Sequence, residues 1–291
     1  MVAQSRISIG YLGISILAVA SYFAMSGTPQ LLTYDGIGIF AVAGVIVGIW
    51  MYRPAAALIW NTIAFGLLLM ITGDLIGNIA DITGETLPFP SVSDGFYLVG
   101  NLAIVLACAM VIRRRNTFRD IGGFIDATIL ATSATLLIWT VMIQPYTDDP
   151  SLSIPQRFVS LAYPAMDVIM AGVGVRLLLT GGRQSPSFYL ITAALGATLV
   201  GDITYAELTL RDAYHSGDAI DLAFLLWYLL WGAAALHPSM TMVTDGVDDP
   251  ILRTSGLRMT GLVGAVLVVP ITAIYHWWRN EPFEIPVFVT G

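Results

Sequence analysis

Apolar positions along the chain fall into nine long runs, which charged clusters and Gly or Pro breaks separate. The runs have roughly the 20-residue length that an α-helix needs to cross the hydrocarbon layer of a bilayer. We therefore predict an all-α fold, a polytopic helical bundle of about nine transmembrane helices. They are expected near residues 7–25, 35–52, 55–78, 92–112, 121–143, 157–180, 187–209, 219–236 and 257–278. A further apolar run from Pro286 predicts the start of a tenth helix.

The composition agrees with a membrane protein. Of the 291 residues, 56% are hydrophobic and 11% are charged, whereas roughly 25% are charged in an ordinary soluble domain. So few charges cannot cover the exterior of a soluble globule. We predict a single integral membrane domain over residues 1–291, with the lipid bilayer as a partner and no nucleic-acid partner.

The arginines predict an orientation in the membrane. If the N-terminus is cytoplasmic, only Arg157, Arg211 and Arg279 lie outside, and the other ten of the 13 cations lie inside. This is the bias expected from the positive-inside rule. The loops on the other side are acidic. We expect a multi-pass protein of the cell's inner (plasma) membrane with its N-terminus in the cytoplasm.

Several kinds of chemistry are excluded by the residue types. All 13 cations are arginines, and without a lysine there can be no retinal or pyridoxal Schiff base and no Walker A loop. Cys108 is the only cysteine, so it cannot form an intramolecular disulfide. No metal-binding or nucleophile motif is present. We expect no catalytic residues, no metal and no cofactor in this chain.

Acidic residues within the apolar runs are the strongest sign of function, because a charge at the bilayer centre costs at least ~2.5–3.5 kcal/mol. Four acids lie toward the outer ends of their predicted helices, namely Asp74, Asp167, Asp202 and Glu207, and Asp94 and Asp221 begin theirs. We predict that these acids face one polar pocket that opens outward.

Structural roles compete with a ligand pocket for these acids. Helix capping is the favoured interpretation for Asp94 and Asp221, because a carboxylate at a helix N-terminus satisfies free backbone N–H groups. Capping is unavailable to the deeper Asp74, Asp167 and Asp202. For these three, interhelical hydrogen bonding and a binding pocket are equally compatible with the sequence.

Aromatic residues accompany the acids, and together they suit a cationic ligand. Trp227 and Trp231, by contrast, are more typical of packing or of an interfacial belt. The predicted ligand-binding residues are Asp74, Asp94, Tyr97, Tyr163, Asp167, Asp202, Tyr205 and Asp221.

An internal repeat lies within these helices. Residues 69–76 and 198–204 share a Gly-Asp pair in an outward-running helix, and an aspartate begins the helix after each of them. The repeat predicts a bundle built from similar helical hairpins.

An ordered series of short motifs resembles the multi-helix N-terminal membrane region of bacterial cyclic-di-GMP signalling proteins, a family common in actinobacteria. The motifs are Pro90–Tyr97, the Arg113–Arg115 triplet followed by Asp126, Tyr146–Leu152, Leu161–Asp167, Gly201–Tyr205 and Ala234–Met240. The resemblance runs from about residue 60 to the end of the chain. In that family the membrane region precedes cytoplasmic GGDEF and often EAL domains.

The resemblance implies a sensor domain for signal transduction, with an extracytoplasmic ligand and a C-terminal cytoplasmic signalling domain as partners. A second copy of the chain is a further candidate partner. Neither a GGDEF nor an EAL motif is present, since Ala206–Leu208 lies inside a predicted membrane helix. A parent protein could still carry a cyclase or phosphodiesterase domain. A small-molecule or ion transporter or channel is the alternative function, because hairpin repeats and membrane acids are also expected there.

Overall fold

We describe the fold from a computed structural model of the chain, which describes residues 2–115, 152–179, 184–211 and 213–245. This part of the chain contains seven α-helices and no strand, so the all-helical class is confirmed. The predicted helices near 121–143 and 257–278, and the run from Pro286, lie outside the described residues. The count of nine helices is therefore not confirmed.

The seven helices match the remaining seven apolar runs. Six of them, α1 to α6, are long and apolar enough to cross a membrane, and α7 is a shorter apolar helix of 16 residues. A short 3₁₀ helix, Pro238–Met242, follows α7. The helices are α1 Val2–Ala24, α2 Thr28–Tyr52, α3 Ala57–Thr83, α4 Val92–Arg114, α5 Ile154–Leu179, α6 Pro186–Leu210 and α7 Asp221–Leu236.

Two predicted helix boundaries differ from those of the structure. Helix α2 begins at Thr28, seven residues before the predicted start, and Pro29 occupies its first turn, where a proline costs no helical hydrogen bond. Helix α3 continues five residues past the predicted end and stops at Gly84, whose φ of 73° gives a left-handed cap. Both changes add polar residues to the ends of helices.

Helices α2 to α7 form a ring. Each packs against the next in order, α7 packs against α2 to close the ring, and α1 lies outside against α2 and α7. Large apolar side chains fill the core, among them Trp60, Trp227, Trp231 and Phe188, all fully buried.

Glycines permit the closest approaches in this ring. A Cβ atom on Gly66 of α3 would lie 3.0 Å from the carbonyl oxygen of Gly100 on α4, and the reverse distance is also 3.0 Å. Where the ring closes, a Cβ on Gly48 of α2 would lie 2.7 Å from the carbonyl carbon of Ala235 on α7. Backbones therefore touch where α3 meets α4 and where α2 meets α7.

The two ends of the ring differ in charge. One end carries acids at the start of α2, α4 and α7 and near the ends of α3 and α6; we call it the acidic end. The other, the arginine end, carries arginines at the ends of α2, α4 and α5, namely Arg53, Arg113, Arg114, Arg115 and Arg176. The predicted separation of charges between the ends is present. Which end faces the cytoplasm stays a prediction.

Candidate functional site: a carboxylate network at the acidic end

Asp74 joins three helices. Its Oδ1 accepts a 2.8 Å hydrogen bond from the hydroxyl of Tyr97 on α4, and its Oδ2 accepts one of 2.6 Å from Tyr228 on α7. Asp74 and Tyr97 both belong to the predicted pocket, and the structure shows them in contact. Tyr228 was not predicted as a site residue.

Asp94 both caps a helix and bridges two helices. Its Oδ2 accepts a 2.6 Å hydrogen bond from the backbone N–H of Ser91 in a capping box at the start of α4, as the capping interpretation expected. Its Oδ1 accepts a 2.8 Å hydrogen bond from the hydroxyl of Tyr163 on α5. Capping and interhelical bonding thus occur at the same carboxylate.

Asp167 on α5 and Asp202 on α6 form a carboxyl pair. The two carboxyl groups lie close together, and Thr198 Oγ1 donates a 3.1 Å hydrogen bond to Asp202 Oδ2. Asp167 is only 3% exposed. Two negative charges this close together in a poorly solvated site would repel each other.

Asp221 anchors α1 and the α6–α7 loop to α7. It accepts hydrogen bonds from the hydroxyls of Tyr22 on α1 and Tyr214 in the loop, and a 2.7 Å bond from the backbone N–H of Gly217. The predicted capping of its own helix is not found, because α7 has no side-chain cap bond at its N-cap, Ile220. Burial, followed by the negative charge of Asp221, raises the pKa of the Tyr214 hydroxyl above its usual range.

Tyr205 contacts the network through its ring. The ring lies 4.8 Å from that of Tyr214 and 6.2 Å from that of Phe224, both edge-on. It is 41% exposed and stands where α6 meets α7. The predicted site residues lie between the acidic end and the middle of the ring, since Asp167 is halfway along α5. Asp74 and the Asp167–Asp202 pair have different hydrogen-bond partners: Asp74 accepts from Tyr97 and Tyr228, and Asp202 accepts from Thr198.

The sequence prediction missed other members of the network. Asp35 on α2 is 4% exposed and accepts a 2.7 Å hydrogen bond from Asn78 on α3. Tyr34 packs edge-on against Tyr228, with ring centroids 6.4 Å apart. The early start of α2 and the late end of α3 put Tyr34, Asp35 and Asn78 inside helices, and Pro29 was the signal that could have extended α2.

The internal repeat has a structural counterpart. A Cβ on Gly73 would lie 2.7 Å from the ring of Tyr97, and one on Gly201 would lie 2.8 Å from the ring of Phe224. Each aromatic follows the aspartate of its own helix by three positions, Asp94 in α4 and Asp221 in α7. In both hairpins, α3–α4 and α6–α7, the glycine of the Gly-Asp pair makes room for an aromatic ring of the next helix.

Two polar atoms near the network are buried without a partner. Asn101 and Trp231 lie one helical turn deeper than Tyr97 and Tyr228, and their Oδ1 and Nε1 atoms have no hydrogen-bond partner among the described residues. Asp74 and Asp202, by contrast, each retain part of their accessible surface.

The tryptophans of α7 do not form an interfacial belt. Trp227 and Trp231 are 1% and 0% exposed, and their rings meet edge-on with centroids 5.5 Å apart. The packing interpretation is the one that holds for both.

Within the described ranges, no group of three His, Cys, Asp or Glu side chains comes together in a way that could hold a metal ion.

Comparison with protein-family models, with curated proteins and with solved structures finds no match for the chain. The likeness to membrane regions of GGDEF and EAL proteins therefore stays a prediction from the short motifs.

Proposed function

We propose that this protein is a membrane-embedded sensory or regulatory module, in which the carboxylate network responds to a stimulus by changing how the helices pack. The observation that carries the proposal is the Asp167–Asp202 pair, two carboxyl groups that lie close together between α5 and α6, with Asp167 buried. In this proposal a proton shared by the two groups holds α5 against α6. Loss of that proton turns an attractive contact into repulsion between two carboxylates. The protonation state of the pair thus favours one of two helix arrangements.

The rest of the network can pass such a change around the ring. A carboxylate joins α2 to α3 through Asp35, α3 to α4 through Asp74, and α4 to α5 through Asp94. A movement between two of these helices alters the hydrogen bonds of the neighbouring helix pairs, because each acid joins two helices. A ligand shifts the equilibrium between the two helix arrangements if it binds them with different affinity.

The ligand class that fits is an organic cation. Aromatic rings and carboxylates occur together in the network, and both groups attract a positive charge. Asp74 and Asp202 keep part of their accessible surface, so a ligand can reach them. A cation at Asp202 would replace the shared proton, so ligand and pH would act on the same contact.

A transporter or channel is the alternative function. Alternating access requires binding groups that can be reached from both membrane faces. The carboxylates of the network lie between the acidic end and the middle of the ring, whereas apolar residues fill the ring toward the arginine end. This asymmetry favours a sensor.

The test joins the full chain to a cytoplasmic reporter and measures its output. A diguanylate cyclase domain is fused after Gly291 through an added apolar segment that completes the tenth helix predicted to start at Pro286, which brings the domain to the cytoplasmic side in the predicted topology. Cyclic-di-GMP production in membrane vesicles is recorded across pH, and with tetramethylammonium chloride against sodium chloride at equal ionic strength. We expect the output to change with pH and with the organic cation.

Asp202→Asn and a matched control separate the two functions. Asparagine can donate a hydrogen bond to Asp167 without a shared proton, so we expect the output of this variant not to respond to pH. Asp81→Asn, an exposed acid at the end of α3, should respond like the parent. An identical pH response in Asp202→Asn and the parent would refute the sensor, and tetramethylammonium uptake by liposomes containing the unfused chain would establish the transporter instead.

A further inference from the structure

A groove opens between α3 and α4 at the arginine end. It is lined by Leu58, Ile59, Met110, Arg113 and Arg114. The two helices cross in contact at Gly66 and Gly100, and crossed helices separate with distance from their crossing point. The groove lies where the first turn of α3 and the last turn of α4 have moved apart.

The groove combines two kinds of surface. Its apolar side includes Leu58, which is 66% exposed and lies on a helix long and apolar enough to cross a membrane. Its polar side is formed by the exposed guanidinium groups of Arg113 and Arg114. In the described part of the chain no carboxylate pairs with either arginine, since the one ion pair found there joins Glu207 and Arg211 at the opposite end.

We propose that this groove is a binding site for an anionic phospholipid, with the phosphate on Arg113 and Arg114 and an acyl chain along Leu58 and Met110. Arginine is suited to this role because its planar guanidinium donates two parallel hydrogen bonds to phosphate oxygens. Basic pockets between transmembrane helices at the membrane surface favour anionic headgroups.

The location agrees with a lipid rather than a soluble anion. Both arginines lie in the last turn of α4, which is the depth of the headgroups if the helix spans the bilayer. The N-terminus of α3 adds to the attraction, because its N-cap residue, Ala56, leaves the first N–H groups without a side-chain acceptor. Arg115 does not take part, since it is buried and donates to the carbonyl of Val243.

The test measures lipid-dependent stability of the full chain in an uncharged detergent. Phosphatidylglycerol is titrated, and the melting temperature gives the concentration of half-maximal stabilisation, because a ligand that binds the folded state raises Tm. We expect phosphatidylglycerol to stabilise the parent more than phosphatidylcholine does. Arg113→Gln and Arg114→Gln should each raise the half-maximal concentration about fivefold, and the double variant about thirtyfold.

Arg53→Gln is the matched control, since it removes one exposed charge from the same end without altering the groove. Its half-maximal concentration should equal that of the parent. Equal stabilisation of the parent by both lipids would overturn the proposal, and this comparison needs no variant to fold. So would an unchanged half-maximal concentration in the double variant. Soluble glycerol phosphate acting as well as phosphatidylglycerol would show a free-anion site and would also exclude the lipid.

Discussion

The hydroxyl of Tyr228 on α7 donates a 2.6 Å hydrogen bond to Asp74 on α3, although 154 positions separate the two residues in the chain. The two helices are not adjacent in the ring, because α2 lies between them. Tyr97 donates to the other oxygen of the same carboxylate. Asp74 therefore fixes the distance between α7 and the α3–α4 hairpin at the acidic end.

Removing the hydroxyl of Tyr228 should loosen this junction. We expect Tyr228→Phe to lower the free energy of unfolding by about 1–2 kcal/mol, because Asp74 loses one of two donors in a poorly solvated site. Chemical denaturation in detergent micelles measures the change. Tyr189→Phe is the control, since among the described residues its exposed hydroxyl donates only to Gln184, five positions earlier in the chain. Equal losses in the two variants would show that the Asp74 bond contributes nothing specific.

The sequence predicted the helices and the clustering of acids for a simple reason. An apolar run of membrane length indicates a helix whatever its neighbours are, and the antiparallel alternation of such helices places Asp74 and Asp202 at the same end. The roles of Tyr228 and Tyr34 were not predictable in this way. They depend on how α7 and α2 are rotated in the ring, which is decided by packing between residues far apart in the chain.

The arginine triplet shows the same limit. Arg113, Arg114 and Arg115 look alike in the sequence, where the positive-inside rule treats them as one anchor. In the structure the first two are exposed, whereas Arg115 is 2% exposed and its guanidinium lies 4.2 Å from the ring centroid of Phe188. The difference comes from the contacts of Arg115 with α6 and with the segment after α7, which the sequence does not reveal.

Cysteine labelling should decide the orientation. Glu85, in the α3–α4 loop at the acidic end, and Ala55, in the α2–α3 loop at the arginine end, are both exposed. We expect Glu85→Cys to react with an impermeant maleimide on intact cells, and Ala55→Cys to react only after permeabilisation. The native Cys108 is buried and provides little background. The opposite labelling pattern would mean that the orientation is inverted.

Arg115→Ala should destabilise the fold. The substitution removes a 2.7 Å hydrogen bond to the Val243 carbonyl and the contact with the Phe188 ring, and we expect a loss of about 2–4 kcal/mol in free energy of unfolding. Burial lowers the pKa of Arg115 to about 10, against the opposing charge of Asp245, so the arginine stays charged at neutral pH. Arg114→Ala, measured in the same uncharged detergent, should change stability by less than about 0.5 kcal/mol.

His237 should make stability fall at mildly acidic pH. Its Nδ1 accepts a 3.1 Å hydrogen bond from the backbone N–H of Ser239, which an imidazolium cannot do, and burial lowers its pKa below the usual 6.5. The unfolded chain therefore binds this proton more readily, so stability decreases as pH falls below 6.5 and the loss levels off below the folded-state pKa.

Comparison with His237→Asn isolates this effect from the titration of the acids, because an asparagine oxygen can accept the same bond without titrating. Melting temperatures of the variant should decline less than those of the parent between neutral pH and pH 5. Parallel declines in the two proteins would assign the acid sensitivity to other groups.

Ring closure depends on Gly48. A Cβ at this position would lie 2.7 Å from the carbonyl carbon of Ala235 on α7, and backbone cannot move aside as a flexible side chain can. We expect Gly48→Ala to lower the free energy of unfolding by about 1–3 kcal/mol through overpacking. Gly77→Ala on α3 is the control, since nothing lies within 4 Å of its Cβ, and it should be neutral or stabilise the helix by up to about 1 kcal/mol. Because both substitutions add the same methyl group to a helix, the difference between their unfolding free energies measures the α2–α7 contact itself. A difference near zero would mean that α2 and α7 are not held together at this point and that the ring is open there.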